Sequence, residues 1–194
     1  MNDQHPLPYR IVAPALIHCV ISTIRLLARD SIHLPRQHIG KRLHFVDGTV
    51  AQVYRETVVD GTPRNPCALL VEFRLWPWAV RGHRTHALFR WESLLNTPLF
   101  VGFPGFASKL WLANDEHGVY RGVYEWDGPE RAEHYARSLW RVLALGCEPD
   151  SIHYRVLPGV RRDALLAAPH LYASTTPDLS SESVTGWWRS LEVA

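Results

Sequence analysis

Between Phe103 and Pro158 two short segments alternate apolar and polar side chains, one longer segment repeats its apolar residues at helical spacing, and a last one alternates again. Ser108 to Ala113 and Val119 to Trp126 read as two strands joined around Asn114 to Gly118. Asp127-Gly128-Pro129-Glu130 follows, with a carboxylate at a capping position and Glu130 three residues on. Ala132, Tyr135, Ala136, Leu139, Val142 and Leu143 then share one helical stripe, Gly146 is a natural stop, and Ser151 to Leu157 is a final strand. Upstream, Cys67 to Trp76 sets Leu69, Val71, Phe73 and Leu75 against Leu70, Glu72, Arg74 and Trp76, which predicts a strand ended by Pro77. Thr85 can cap a helix with Ala87, Leu88, Trp91, Leu94 and Leu95 inside. The elements in order make a βαββαβ unit, which places the chain in the α+β class.

The flanking segments divide the chain into residues 1–62, 66–160 and 161–194. Residues 1–10 are polar and expected to be loose, and Pro14 suits a first helical turn. Leu16, Ile17, Val20, Ile21, Ile24 and Leu27 form a stripe expected to pack inward. His18, Ser22, Thr23 and Arg25 make this stretch a poor membrane span, and it lacks the marks of a signal peptide, so no membrane partner is expected. Asp47-Gly48 between two β-prone runs predicts a type I′ hairpin. The Ser, Thr, Pro and Asp of 174–186 predict a flexible tether, with Trp187 and Trp188 beyond it free to dock.

A net charge of +2 with basic and acidic residues interspersed leaves no footprint for nucleic acid. Three scattered cysteines indicate reduced thiols and a cytoplasmic protein, and no pair has zinc-site spacing. The chain has no Gly-rich nucleotide loop and no serine nucleophile elbow.

GFASKLWL from Gly105 and GVYRGVYEWDGPERAEHYARSLWRVLALG from Gly118 resemble the YdhR-type monooxygenases of the dimeric α+β barrel superfamily, also described as antibiotic biosynthesis monooxygenase-like. The matching positions are Pro104, Gly105, Phe106, Lys109, Trp111, Gly122, Tyr124, Ala132, Tyr135, Leu143 and Gly146. The resemblance spans Cys67 to Leu157 and leaves both ends of the chain outside it. It implies a ferredoxin-like βαββαβ subunit that pairs its sheet with a second copy, here with an added N-terminal helix and β-hairpin and a C-terminal tail, and the hairpin or the tail could cover that sheet face instead. It also implies a small-molecule pocket between the sheet and its own helices.

Parity and the resemblance together select the residues that could carry chemistry. Glu72 and Arg74, Arg121 and Glu125, and His153 and Arg155 fall on one sheet face. They can be cross-strand ion pairs, or they can hold a base, His153 or Glu72, beside Arg74 or Arg121 as an anion binder. Tyr120, Gly122, Tyr124 and Trp126 face the other way, and with Trp91, Phe106, Trp111 and Tyr135 they form either an aromatic core or the wall of a pocket for a flat substrate. Gly122 leaves space in the middle of that wall, and His134 beside Tyr135 is a further acid–base group. His83 and His86 suit a metal by spacing but lack a third ligand, so no metal is expected. The leading expectation is an enzyme without a cofactor that removes a proton from an aromatic or polyketide-like molecule, as a monooxygenase or as a cyclase or isomerase. The alternatives are a non-catalytic binding or assembly protein and a haem protein using His134 or His86. The partners expected are a small-molecule substrate and a second copy of the chain.

Overall fold

The computed structural model describes residues 5–77, 100–168 and 190–193. Residues 78–99, with the expected helix that carries Trp91, His83 and His86, lie outside the described residues, as do the tether and Trp187 and Trp188. The helices are α1 (Tyr9–Ala28), α2 (Pro129–Leu143) and α3 (Arg162–Ala167). The strands are β1 (Ile32–His33), β2 (Arg42–Phe45), β3 (Val50–Val59) and β4 (Pro66–Arg74), then β5 (Phe106–Leu112), β6 (Val119–Asp127), β7 (His153–Pro158) and β8 (Ser190–Val193).

One mixed-length antiparallel sheet runs β7-β4-β6-β5-β3-β2-β8, with β1 also on β3. Its first four members are the fourth, first, third and second strands of the predicted unit, and α2 crosses from β6 back to β7. That order makes the centre of the chain ferredoxin-like and the chain α+β. The added N-terminal hairpin extends the same sheet past β5.

Alternation along the strands sends side chains to two separate cores. Cys67, Leu69, Val71, Tyr124, Trp126 and Tyr154 meet Ala132, Tyr135 and Ala136 of α2 and Cys19 of α1. Ala68, Leu70, Leu110, Leu112, Val123 and Leu157 point the other way. This second face is the one that a second copy, the N-terminal hairpin or the tail was expected to cover. It is filled from within the chain, by Leu43 and Phe45 of β2, Ala51 and Val53 of β3, and Leu165 and Leu166 of α3. A bulge in β3 between Val53 and Arg55 switches the alternation there, so that Ala51 and Val53 face this core while Val59 joins the helix-side one.

Several local expectations are corrected. The hairpin turn has positive φ at Gly48 alone, with Gly48 N–H on the Phe45 carbonyl and Phe45 N–H on the Thr49 carbonyl. It is therefore a three-residue loop with a glycine bulge, not a type I′ turn. Asp127 does not cap α2; it accepts the backbone N–H groups of Arg64 and Asn65 and so ties the β3–β4 loop to the end of β6. The segment before α1 is anchored to α2, where Leu7 N–H donates to the Arg137 carbonyl and Arg137 and Arg141 donate to the carbonyls of His5 and Leu7. The chain's last strand, β8, joins β2 rather than ending in a free tail.

The largest correction concerns α1. Its buried residues are Val12, Cys19 and Thr23, while Ile17, Ile21, Ile24 and Leu27 of the predicted stripe face solvent. The helix is apolar almost all round, so periodicity leaves its orientation open, and close contact with the Phe100–Phe106 turn decides it. A side chain at Gly102 would collide with the Cys19 carbonyl, so only glycine lets the helix seat there.

Candidate functional site

The helix-side face of the ferredoxin-like unit is an aromatic layer. Phe106 meets Trp126 edge-on at 5.6 Å between ring centroids, and Trp126 lies 4.7 Å from Tyr135. The Tyr135 hydroxyl donates to that of Tyr124 at 3.4 Å, and burial pushes both phenols up from their ordinary pKa. Tyr120 sits at one margin, stacked on Phe73. Phe106, Trp111, Tyr120, Gly122, Tyr124, Trp126 and Tyr135 are thus gathered on or beside one buried surface. The Trp126 indole N–H has no hydrogen-bond partner among the described residues.

The space over Gly122 is not open. A Cβ there would come within 2.8 Å of the Tyr124 ring and 3.3 Å of the Lys109 Cε. Lys109 itself is the unforeseen member of the site. Its ammonium-bearing nitrogen lies 3.2 Å from the centroid of the Trp111 ring, 4.6 Å from that of Tyr124 and 4.7 Å from that of Phe100. No carboxylate or hydrogen-bond acceptor reaches this nitrogen among the described residues. Burial is the chief cause that drives its pKa well below 10.5, and the Arg55 guanidinium pushes the same way. Arg55 lies on the same indole, 5.2 Å from its centroid, and burial lowers its pKa too. The register explains how both arrive: β5 pairs Trp111 with Arg55 and Lys109 with Thr57, and the Trp111 indole donates to the Thr57 hydroxyl at 3.2 Å.

A lysine so placed loses its proton more readily than a solvated one and so more readily offers a free amine as base or nucleophile, and the three rings stabilise its ammonium form once it gains a proton. A sequence signal for it exists. The chain has only two lysines, Lys41 and Lys109, and the alternation of GFASKLWL puts Lys109 on the same face as Trp111. Lysine's usual habit of reaching to solvent hides that signal.

The opposite face carries the predicted charged residues, but not as one patch. Its apolar centre separates two ionic groups. At one end Arg121 is held by Asp115 at 2.6 Å, by Asp47 of the hairpin turn at 3.0 Å and by Glu72 at 3.3 Å. Burial raises the Glu72 carboxyl to about 7, since Asp47 and Asp115 offset what Arg121 provides. Burial opposes ionisation of Asp115 as well, yet the Val119 N–H and Arg121 outweigh it and hold Asp115 below its usual value. At the other end Glu56 takes His38 and Arg162, each at 2.9 Å, while Glu125 pairs with Arg161 at 3.5 Å. His153 lies across from Glu72 in the β4–β7 register but is exposed. Arg74 is exposed too and reaches Glu148 at 3.7 Å. Glu72 and Arg121 thus serve the attachment of the hairpin, and His153 and Arg74 stand outside it.

His134 is turned away from the aromatic layer. It is exposed on α2 and lines a cleft of about 270 Å³ between α1 and α2, with His18, Phe103, Glu130 and Arg131. Among the described residues no cluster of three metal-ligating side chains exists.

No family model matches the chain, and no curated protein matches it. Among solved structures, a ferredoxin-fold protein related to antibiotic biosynthesis monooxygenases from Listeria monocytogenes 4b F2365 aligns with a TM-score of 0.39 and 11% identity, over 57% of this chain and 64% of that one. A monooxygenase-like protein from Listeria innocua gives 0.38 and 13% over 60% and 68%, and a major regulator of staphylococcal pathogenesis gives 0.37 and 13% over 73% and 92%. Two of the three are monooxygenase-like, and the chain spans under two thirds of the first. Values of this size leave the chemistry to the residues of this chain.

Proposed function

We propose that the protein is a small-molecule enzyme of the monooxygenase-like, YdhR-type kind that needs no cofactor, and that Lys109 is its base. The single observation that carries this is a buried lysine held among Trp111, Tyr124 and Phe100 with no acidic partner among the described residues. Such a group is costly to a fold and is the kind of perturbed site that catalysis uses. The substrate is an aromatic phenol or enol. Its ring packs against the aromatic layer, its acidic proton passes to Lys109 Nζ, and the anion left behind is stabilised by the new ammonium and by Arg55. With dioxygen as co-substrate, one oxygen atom enters the activated carbon and the other leaves as water, so that dioxygen also accepts the substrate's electrons. Without it, the same anion cyclises or isomerises.

Oxygen uptake and product formation with a panel of anthrones and naphthols test this. Turnover is expected to be lost in Lys109→Met, and also in Lys109→Arg, which keeps a cation but supplies no base at neutral pH. His134→Ala and His153→Ala are expected to leave it unchanged. Turnover that survives in Lys109→Met contradicts the proposal. The same ring-held lysine serves a second reading, a binding protein without turnover. It predicts phenol binding with proton uptake, lost in Lys109→Met, and no product.

A further inference from the structure

The side of α1 turned away from the body has a composition that the fold does not use. Ile17, Ile24 and Leu27 are 63%, 60% and 58% exposed, and Ile11, Ile21 and Tyr9 are exposed beside them. At 1.5 Å and about 100° per residue, Tyr9, Ile17, Ile21, Ile24 and Leu27 share one side of a helix about 30 Å long and form an apolar ridge, larger than scattered surface hydrophobics require. Arg10 stands at one end of the ridge, and Arg25 and Arg29 at the other, all exposed. From Tyr9 to Arg29 there is no aspartate or glutamate.

Charge separates the possible occupants. A second copy meeting this ridge across a two-fold axis brings arginine to arginine whether the helices run parallel or antiparallel, and neither helix offers a carboxylate to relieve it. A bilayer carrying anionic lipid supplies both halves of the match, acyl chains for the ridge and phosphates for its ends. Length and hydropathy alone would let this helix cross a membrane. The opposite side of the helix argues for lying flat. Val12, Cys19 and Thr23 are buried, Ala15, Leu16 and Leu26 pack on the core, and the backbone at Cys19 is in close contact with Gly102.

We propose that α1 is an in-plane membrane anchor whose outer face, Ile17, Ile21, Ile24 and Leu27 framed by Arg10, Arg25 and Arg29, seats the protein on an anionic lipid surface. This runs against the sequence-based expectation of no membrane partner, which rested on the polar residues His18, Ser22, Thr23 and Arg25 and on the missing marks of a signal peptide. It is independent of the chemistry at Lys109.

The test is co-sedimentation of the full chain with vesicles of phosphatidylcholine, alone and mixed with phosphatidylglycerol. The expected result is partition onto the anionic vesicles, weaker onto neutral ones and reduced by salt. Ile17→Glu and Ile24→Glu should each lower it more than about tenfold, with the melting temperature unchanged because both side chains already face solvent. Arg25→Gln should lower it about fivefold. Failure to bind either vesicle overturns the proposal. So does a lipid-free dimer, seen by light scattering and dissociated by Ile17→Glu, which would assign the ridge to a second copy.

Discussion

The two faces of the central sheet solve the same problem in opposite ways. On the face opposite the helices every buried charge has an ionic partner. Arg121 gathers three carboxylates, Glu56 gathers His38 and Arg162, and between them lies an aliphatic core contributed by segments outside the ferredoxin-like unit. On the helix-side face the rings of Phe100, Trp111 and Tyr124 surround a lysine for which the described residues offer no counter-charge. The first arrangement is what an attachment needs, since each ion pair joins an added segment to the sheet. The second stabilises nothing when the amine is neutral, and it suits a group that changes its charge during a reaction.

Arg121→Met should break the first arrangement most severely. It leaves Asp115, Glu72 and Asp47 together without a cation, at a cost of about 3–5 kcal/mol in chemical denaturation near pH 8. The deficit should shrink as the pH falls through about 7, where the raised Glu72 carboxyl takes up its proton. A loss that does not depend on pH would mean that packing against Phe45, whose ring lies 4.4 Å from the guanidinium carbon, is what counts.

Lys109→Met should do the reverse and stabilise the protein at pH 7, by about 1–3 kcal/mol, because an apolar chain of similar shape replaces an amine with no acidic partner among the described residues. The sign of the pH effect follows from linkage. A lysine whose folded pKa lies below 10.5 binds fewer protons folded than unfolded between those two values, so wild-type stability should rise with pH through that interval. The variant should lose that slope, and melting curves at several pH values would show it.

The smallest effect is expected at Gly122. Gly122→Ala should cost about 1 kcal/mol, because the buried Tyr124 ring, 2.8 Å from the new Cβ, has to move to admit it while the Lys109 stem gives by a few tenths of an ångström. A stabilising result would show that the layer holds free volume over Gly122 after all.

The contrast was half visible in the sequence. Strand alternation separates Tyr124 and Trp126 from Arg121 and Glu125, and the structure keeps that division. The order of the four central strands was equally readable, because Pro77, Gly118 and Gly146 punctuate clear periodic runs. That the added hairpin could cover the second face was readable as one option beside a second copy or the tail. Which of them does so was not, because Leu43, Phe45, Ala51 and Val53 alternate as any hairpin would, while the β3 bulge and the reach of Asp47 to Arg121 fix where they go. The orientation of α1 failed for a related reason. Val12, Leu16, Cys19 and Leu26 form a second stripe about as apolar as Ile17, Ile21 and Ile24, and the choice rests on contact with Gly102 far along the chain. Lys109 was in plain view within GFASKLWL, where its register with Trp111 would have marked it as buried.

The chain's two lysines make the central claim directly measurable. With lysine labelled at 13Cε and 15Nζ, a pH titration by NMR gives one resonance for the surface group, Lys41, and one for Lys109. The account predicts that Lys109 loses its proton well below the ordinary lysine value of about 10.4. A Lys109 resonance that keeps its ammonium form up to that value would contradict it.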